Sequence, residues 1–220
     1  MKNNSRKTAA TARKQPLQRR SVTTVAAIIE AAARILEERG HAGYNTNNIA
    51  QLAGVSVGSL YQYFPNKDAI TIALLLRELK ALRAAIEADA GDGFDAGALE
   101  RMIETAARHQ LERSRLAKFL DLEEARLPAD QLLYEERQKL MTIIQSFFEG
   151  SALGGGDSDQ VAQDVFDIVR GLVDAAGFRG ETDILGLTVR VKWAVSGYLR
   201  ARESSLGLSG YCWAGTPGRG

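Results

Sequence analysis

The stretch TNNIAQLAGVSVGSLYQYFPNKDAI, Thr46 to Ile70, decides how this chain is read. Ile49, Ala50 and Ala53 share one face of a short helix, and Gly54 supplies a tight turn that other residues resist. Val55 and Leu60 plug the angle to a second short helix. Asn45 and Ser56 stand where the two helices need N-caps. Pro65 disfavours α geometry at Phe64, so the second helix is predicted to stop there, and Asn66 can cap a third. Phe64 is expected in the core. The outward face of the second helix is left with Gly58, Ser59, Tyr61, Gln62 and Tyr63, and a helix of this kind fits the DNA major groove.

Upstream, VTTVAAIIEAAARILEER carries Val25, Ile28, Ile29, Ala32, Ile35 and Leu36 as one apolar stripe, with Gly40 to end the helix. Before it, residues 1–20 hold seven Lys/Arg and no acid, the composition of a disordered basic arm. Residues 1–68 carry ten Lys/Arg against four Asp/Glu, whereas the rest carries eighteen against twenty-three. The charge excess of the N-terminal third points to a polyanionic partner or to a solvated tail, and charge does not choose between them.

Downstream, the pattern stays helical. KDAITIALLLRELKALRAAIEAD is a long helix with Ile70, Leu74, Leu75, Leu79, Leu82 and Ile86 inward, broken by Gly91–Asp92–Gly93. ALERMIETAARHQLERSRLAKF reads as one amphipathic piece, followed by KFLDLEEARL, a shorter helix or a continuation of it, up to Pro128, and by DQLLYEERQKLMTIIQSFFEG. GSALGGGDSD is expected to be a loop before two last helices at about 159–179 and 182–204. Residues 205–220 read as a flexible tail. The 220 residues are thus predicted to be all-α, in the order arm (1–20), helix-turn-helix domain (21–66), larger helical domain (67–204) and tail. No stretch of 18 apolar residues predicts a membrane span, and the single Cys212 excludes an internal disulfide and fits a reducing cytoplasm.

IIEAAARILEERG followed by TNNIAQLAGVSVGSLYQYFPNKDAI strongly resembles the TetR family of bacterial transcriptional regulators, over about residues 21–75. Asn45 stands where the family commonly has threonine, and Ile70 where it has leucine. The resemblance implies an N-terminal three-helix helix-turn-helix domain and a larger helical ligand-binding and dimerisation domain. It implies that Thr46 binds phosphate at the start of the first short helix. Gly58 would let the second helix approach the groove floor, Ser59 and Gln62 would read bases, and Tyr61 and Tyr63 would hold phosphates. Lys67 would add a charge contact. Two roles stay open for Ser56, capping alone or capping with contact to DNA, and Tyr63 is open between DNA and core. The arm, with Arg19 and Arg20, either follows a groove or makes no defined contact.

The same resemblance implies a homodimer through the helices at about 159–179 and 182–204, matching paired half-sites of a palindromic operator in double-stranded DNA. Val165, Ile168, Val169, Leu172, Val173 and Ala176 offer apolar surface on the first helix. Leu185, Leu187, Val191, Ala194, Val195 and Tyr198 offer it on the second, and part of both sets must serve the chain's own core. Met102, His109, Phe119, Tyr134, Met141 and Phe147 are the candidate lining of a pocket for an unknown small-molecule effector. A core role competes for each. Effector binding would move the Lys67–Asp89 helix and change the separation of the two recognition helices.

An enzyme fares badly as an alternative. Two histidines (His41 and His109) and one cysteine give no metal-ligand spacing, and no nucleophile elbow or Walker loop is present. The reading therefore implies no catalytic residue, cofactor or metal. A helical adaptor that has lost DNA binding is opposed by the intact set of Thr46, Gly58, Tyr61 and Lys67. The expectation is a cytoplasmic, ligand-responsive repressor. Operator, effector and the sign of regulation are not written in the sequence.

Overall fold

Asn45 and Ser56 cap the two short helices. The Asn45 side chain accepts a hydrogen bond from the Asn48 backbone N–H (2.9 Å), and Ser56 Oγ accepts one from the Ser59 N–H (3.0 Å). In the computed structural model of the chain, residues 14–90, 96–127, 130–149 and 157–205 are described. Among them lie nine helices: α1 Lys14–Gly43, α2 Thr46–Leu52, α3 Val57–Tyr63, α4 Lys67–Ala90, α5 Ala96–Glu112, α6 Ser114–Arg126, α7 Gln131–Glu149, α8 Ser158–Phe178 and α9 Ile184–Ser205. They divide into two compact units, Met1–Leu74 and Leu75–Gly220, and α4 contributes residues to both.

In the first unit, α1 packs on α2 and α2 on α3. Ile28, Ile35, Leu36, Ile49, Leu60, Ile70 and Leu74 have no more than 1% of their surface exposed. Each such side chain contributes about 1.5–3 kcal/mol of burial, which fixes the angle of two helices too short to persist alone. Gly54 takes φ 69° between α2 and α3, as its place in the sequence requires. Phe64, in the core at 7% exposure, ends α3 in extended geometry (φ −130°, ψ 111°) before Pro65. Asn66 accepts from the Ala69 N–H (2.8 Å) and caps α4.

Three boundaries differ from expectation. The backbone of residues 14–20, predicted to be unstructured, continues α1 towards the N-terminus. Pro16 lies in its first turn, where a missing N–H costs nothing. Gly40 (φ 62°, ψ −162°) breaks α1, but one more turn follows, to Gly43. The long piece from Ala96 is also two helices, because Arg113 leaves helical geometry (φ −122°, ψ 46°). The physical reason is the five-residue step from buried Leu111 to buried Leu116. In a continuous helix that step rotates the stripe by about 140°. Breaking at Arg113 lets both α5 and α6 present an apolar face. Residues 1–13, the loop glycines at 91–93 and 150–156, Pro128 and the tail from 206 lie outside the described residues.

In the second unit, α8 packs against α5, α6, α7 and α9, and α5 also meets α9. Its core includes Leu99, Ile103, Phe147, Phe148, Val161 and Val191, with the two phenylalanine rings edge to face at 5.0 Å.

Candidate functional site

The first site is the exposed face of α3. Ser56, Gly58, Tyr61, Gln62 and Tyr63 are exposed there, and Ser59 is half-buried. The hydroxyls are held before any partner arrives. Ser56 Oγ lies 2.8 Å from Ser59 Oγ, and Thr46 Oγ1 lies 3.2 Å from the Tyr61 hydroxyl, tying the start of α2 to the middle of α3. At Gly58 an added Cβ would make only an ordinary contact, with Ser56 Oγ at 3.9 Å. Tyr63 is exposed at 37%, so the core claims only part of its ring.

Lys67 opens α4 with its ammonium 5.5 Å from the centre of the Tyr44 ring. Sequence reasoning missed Tyr44. It is buried, and its hydroxyl lies 3.0 Å from Thr71 Oγ1, which itself donates to the Lys67 carbonyl (3.1 Å). With the threonine proton spent on that carbonyl, the tyrosine is the donor of the first bond. The pair spans 27 residues, so no local pattern announces it. It fixes the residue that follows α1 to the first turn of α4, where Lys67 stands.

The second site is a cavity of about 210 Å³ within Leu75–Gly220, walled by α4, α5, α6, α7 and α8. Leu79, Leu82, Ile103, Leu116, Leu140 and Phe166 are among its apolar walls. Of the six residues predicted to line a pocket, Met102 and His109 do line it. Phe119 and Phe147 are spent in the core, Met141 packs on the core from outside, and Tyr134 is 58% exposed. Helical spacing cannot separate these fates, since core and cavity lie along the same apolar faces.

The cavity also holds a group of charges that the sequence did not reveal as a group. Glu78 pairs with Arg113 (3.4 Å) and with Arg77 outside the cavity (2.6 Å). Glu124 binds both Arg137 and Arg170 (3.6 Å to the latter), and Arg170 also reaches Asp174 (3.3 Å). Gln110, buried against Gly177, donates to Asp121 (2.8 Å). Burial, then the repulsion of Asp174, pushes the Asp121 carboxyl above its ordinary value, and burial does the same to Asp174. Burial pulls His109 down, which favours its neutral imidazole.

On the expected dimer helices, the structure sorts two faces that the sequence mixed. Leu187, Val191 and Val195 are buried in the chain's own core. Leu185 (73%), Val189 and Trp193 (67%) are exposed. The two triplets repeat at i, i+4, i+8 and are offset by two residues, so they occupy opposite sides of α9. On α8, Val165, Val173 and Ala176 are buried while Leu172 is exposed. Among the described residues, no helix is long and apolar enough to cross a membrane and no group of three or more His, Cys, Asp or Glu is placed to hold a metal.

Three helices with α2 and α3 joined at the Gly54 turn have the helix-turn-helix arrangement. Residues 28–74 match the family model for bacterial regulatory proteins of the tetR family, so this segment is similar to the N-terminal domain of that family. It is 36% identical over 62 residues to the fatty acid metabolism regulator protein of Bacillus subtilis (strain 168), covering 28% of this chain and 32% of that protein. It is 37% identical over 89 residues to the HTH-type transcriptional regulator RutR of Escherichia coli (strain K12), covering 40% of each. The matched segment thus spans less than half the length of these relatives. The structure of FadR from Bacillus subtilis in complex with stearoyl-CoA has the same fold, with a TM-score of 0.64 and 23% identity over 77% of this chain and 96% of that one.

Proposed function

We propose that this protein is a ligand-responsive transcriptional repressor that binds a palindromic operator as a homodimer, and not an enzyme. The observation that carries the reading is the exposed, pre-ordered polar face of α3, held by the Asn45 and Ser56 caps and the Thr46–Tyr61 link. In this reading α3 enters the major groove. Thr46, Tyr61, Tyr63 and Lys67 hold phosphates, and Gln62 and Ser59 meet base edges, with Gln62 suited to adenine. Gly58 removes the side chain where α3 comes closest to the bases. Ser56 acts as a cap and lies near enough to the phosphates to feel their charge. The basic N-terminal segment adds salt-dependent affinity.

The exposed stripe of Leu185, Val189 and Trp193, with Leu172 on α8, is the surface we assign to the second copy. The effector occupies the cavity. FadR of Bacillus subtilis, solved with stearoyl-CoA, is a precedent for a ligand in this fold. α4 runs unbroken from Lys67, four residues after the end of α3, to Ala90, and Leu75, Leu79, Leu82 and Ile86 of the same helix line the cavity. A ligand that displaces α4 therefore acts on a helix covalently continuous with the DNA-binding unit, and shifts the population away from the DNA-competent state. The place of action is the cytoplasm, where the DNA is.

The test is selection of double-stranded DNA from a random pool by the full-length protein, then footprinting of the selected sequence. The expected result is one palindromic site, protected on two successive major grooves by two copies of the chain. Failure to enrich any sequence, under salt conditions that retain nonspecific binding, refutes the reading.

A further inference from the structure

Every arginine in the cavity is already held by a carboxylate: Arg113 by Glu78, Arg137 by Glu124, and Arg170 by Glu124 and Asp174. The carboxylates are not all held in return. Among the described residues, Asp121 has no Lys or Arg within ion-pair distance, and its hydrogen bond comes from the neutral amide of Gln110. Gln110 is itself 7% exposed and pressed against Gly177, where an added Cβ would meet its side chain at 3.0 Å. Its amide is therefore fixed on Asp121 by packing. Around Asp121, Glu124 and Asp174 there are three carboxylates and two guanidinium groups, Arg137 and Arg170.

We propose that the cavity binds a monocation carried on a small apolar body, such as an alkyl ammonium, with the cationic centre against Asp121 and the apolar part among Leu79, Leu82, Ile103 and Leu116. The proposal rests on the reading of this cavity as the effector site and names the chemical class of that effector. Charge complementarity selects the cation. An anionic head meets only guanidinium groups that already hold carboxylates, and it adds charge of the sign already in excess there. A neutral body fills the walls but leaves Asp121 with only the Gln110 amide and the more distant charge of Arg170 to offset its burial. The elevated protonation tendency of Asp121 has the same origin, since burial and Asp174 oppose its charge and a bound cation would relieve both. The volume of about 210 Å³ is smaller than that of drug-sized pockets and sets the ligand at on the order of ten non-hydrogen atoms.

The experiment titrates the full-length protein calorimetrically with three probes of equal chain length: octyltrimethylammonium, octan-1-ol and octanoate. The expected order is ammonium tightest, by at least about tenfold over the alcohol, with octanoate weakest, at one site per chain. Asp121→Asn, of the same shape, is expected to bring ammonium and alcohol within about threefold of each other while leaving the alcohol's affinity in place. Octanoate binding as tightly as the ammonium, or no ammonium binding, overturns the proposal on the unaltered protein. A preference that survives Asp121→Asn in a variant with wild-type melting overturns the assignment to Asp121. The selected DNA separates this proposal from the regulator reading. Release of that DNA by octanoate and not by the ammonium keeps the regulator and rejects the cation. Charge-selective ammonium binding by a protein that enriches no DNA keeps the cation site and rejects the regulator.

Discussion

Gly54 and Gly58 stand four residues apart, and replacing each with alanine should have opposite effects on stability. At Gly54 a new Cβ meets nothing within 4 Å, so the cost of Gly54→Ala is conformational. The residue sits at φ 69°, and the left-handed region costs an alanine about 1–2 kcal/mol. At about 2–4 °C per kcal/mol for a chain of this size, melting should fall by about 2–8 °C. Gly58 is helical, and the nearest atom to a new Cβ is Ser56 Oγ at 3.9 Å. Alanine there gains helix propensity, about 0.5 kcal/mol so near the start of α3, or a rise of about 1–2 °C. Yet Gly58→Ala should weaken DNA binding by about tenfold or more, because the methyl group stands on the face that approaches the bases. Thermal denaturation followed by circular dichroism, with fluorescence anisotropy on the selected DNA, reads both quantities on one preparation. A Gly58→Ala protein that melts higher and binds DNA like the wild type would refute the placement of this face in the groove. One that melts several degrees lower would refute the room for a methyl group at Gly58.

Three further outcomes are expected. Ser56→Ala removes a cap and should cost about 1 kcal/mol, whereas Ser56→Asp keeps the cap and should lose DNA affinity without losing stability, as anisotropy and melting would show. Wild-type affinity in Ser56→Asp would place Ser56 away from phosphate. Trp193→Asp puts a charge into the stripe assigned to the partner copy and should give a folded monomer by analytical ultracentrifugation at micromolar concentration. A persisting dimer would move the interface elsewhere. The hydrogen bond from Arg83 on α4, followed by that from Lys139, holds the Glu136 carboxyl below its ordinary value. Its stabilisation is therefore fully present above the unfolded-state value near 4.5 and lost as pH falls through the lower folded-state value. Glu136→Gln should flatten this acid limb of the stability curve in denaturant titrations. An unchanged limb would show that the Arg83–Glu136 pair does not contribute.

The sequence by itself determined the helix-turn-helix unit. Caps, the Gly54 turn, the Pro65 stop and the α1 stripe act over a few residues, so Asn45, Ser56, Leu60 and Phe64 could be placed without coordinates. Tertiary structure decided the matters of long range. Tyr44 meets Thr71 across 27 residues, and Asp121 meets Gln110 from a different helix. It also decided which apolar residues line the cavity and which fill the core. Met102 and Phe147 are both apolar and both on inward helix faces, and only the packing of α5 and α7 against α8 leaves space beside one and closes it around the other. On α9, both apolar stripes were present in the sequence, but the side that the chain covers itself, and hence the side left for a partner, follows from where α5 and α8 lie. Periodicity records that a face is apolar, and the neighbour that removes it from water is set by the fold.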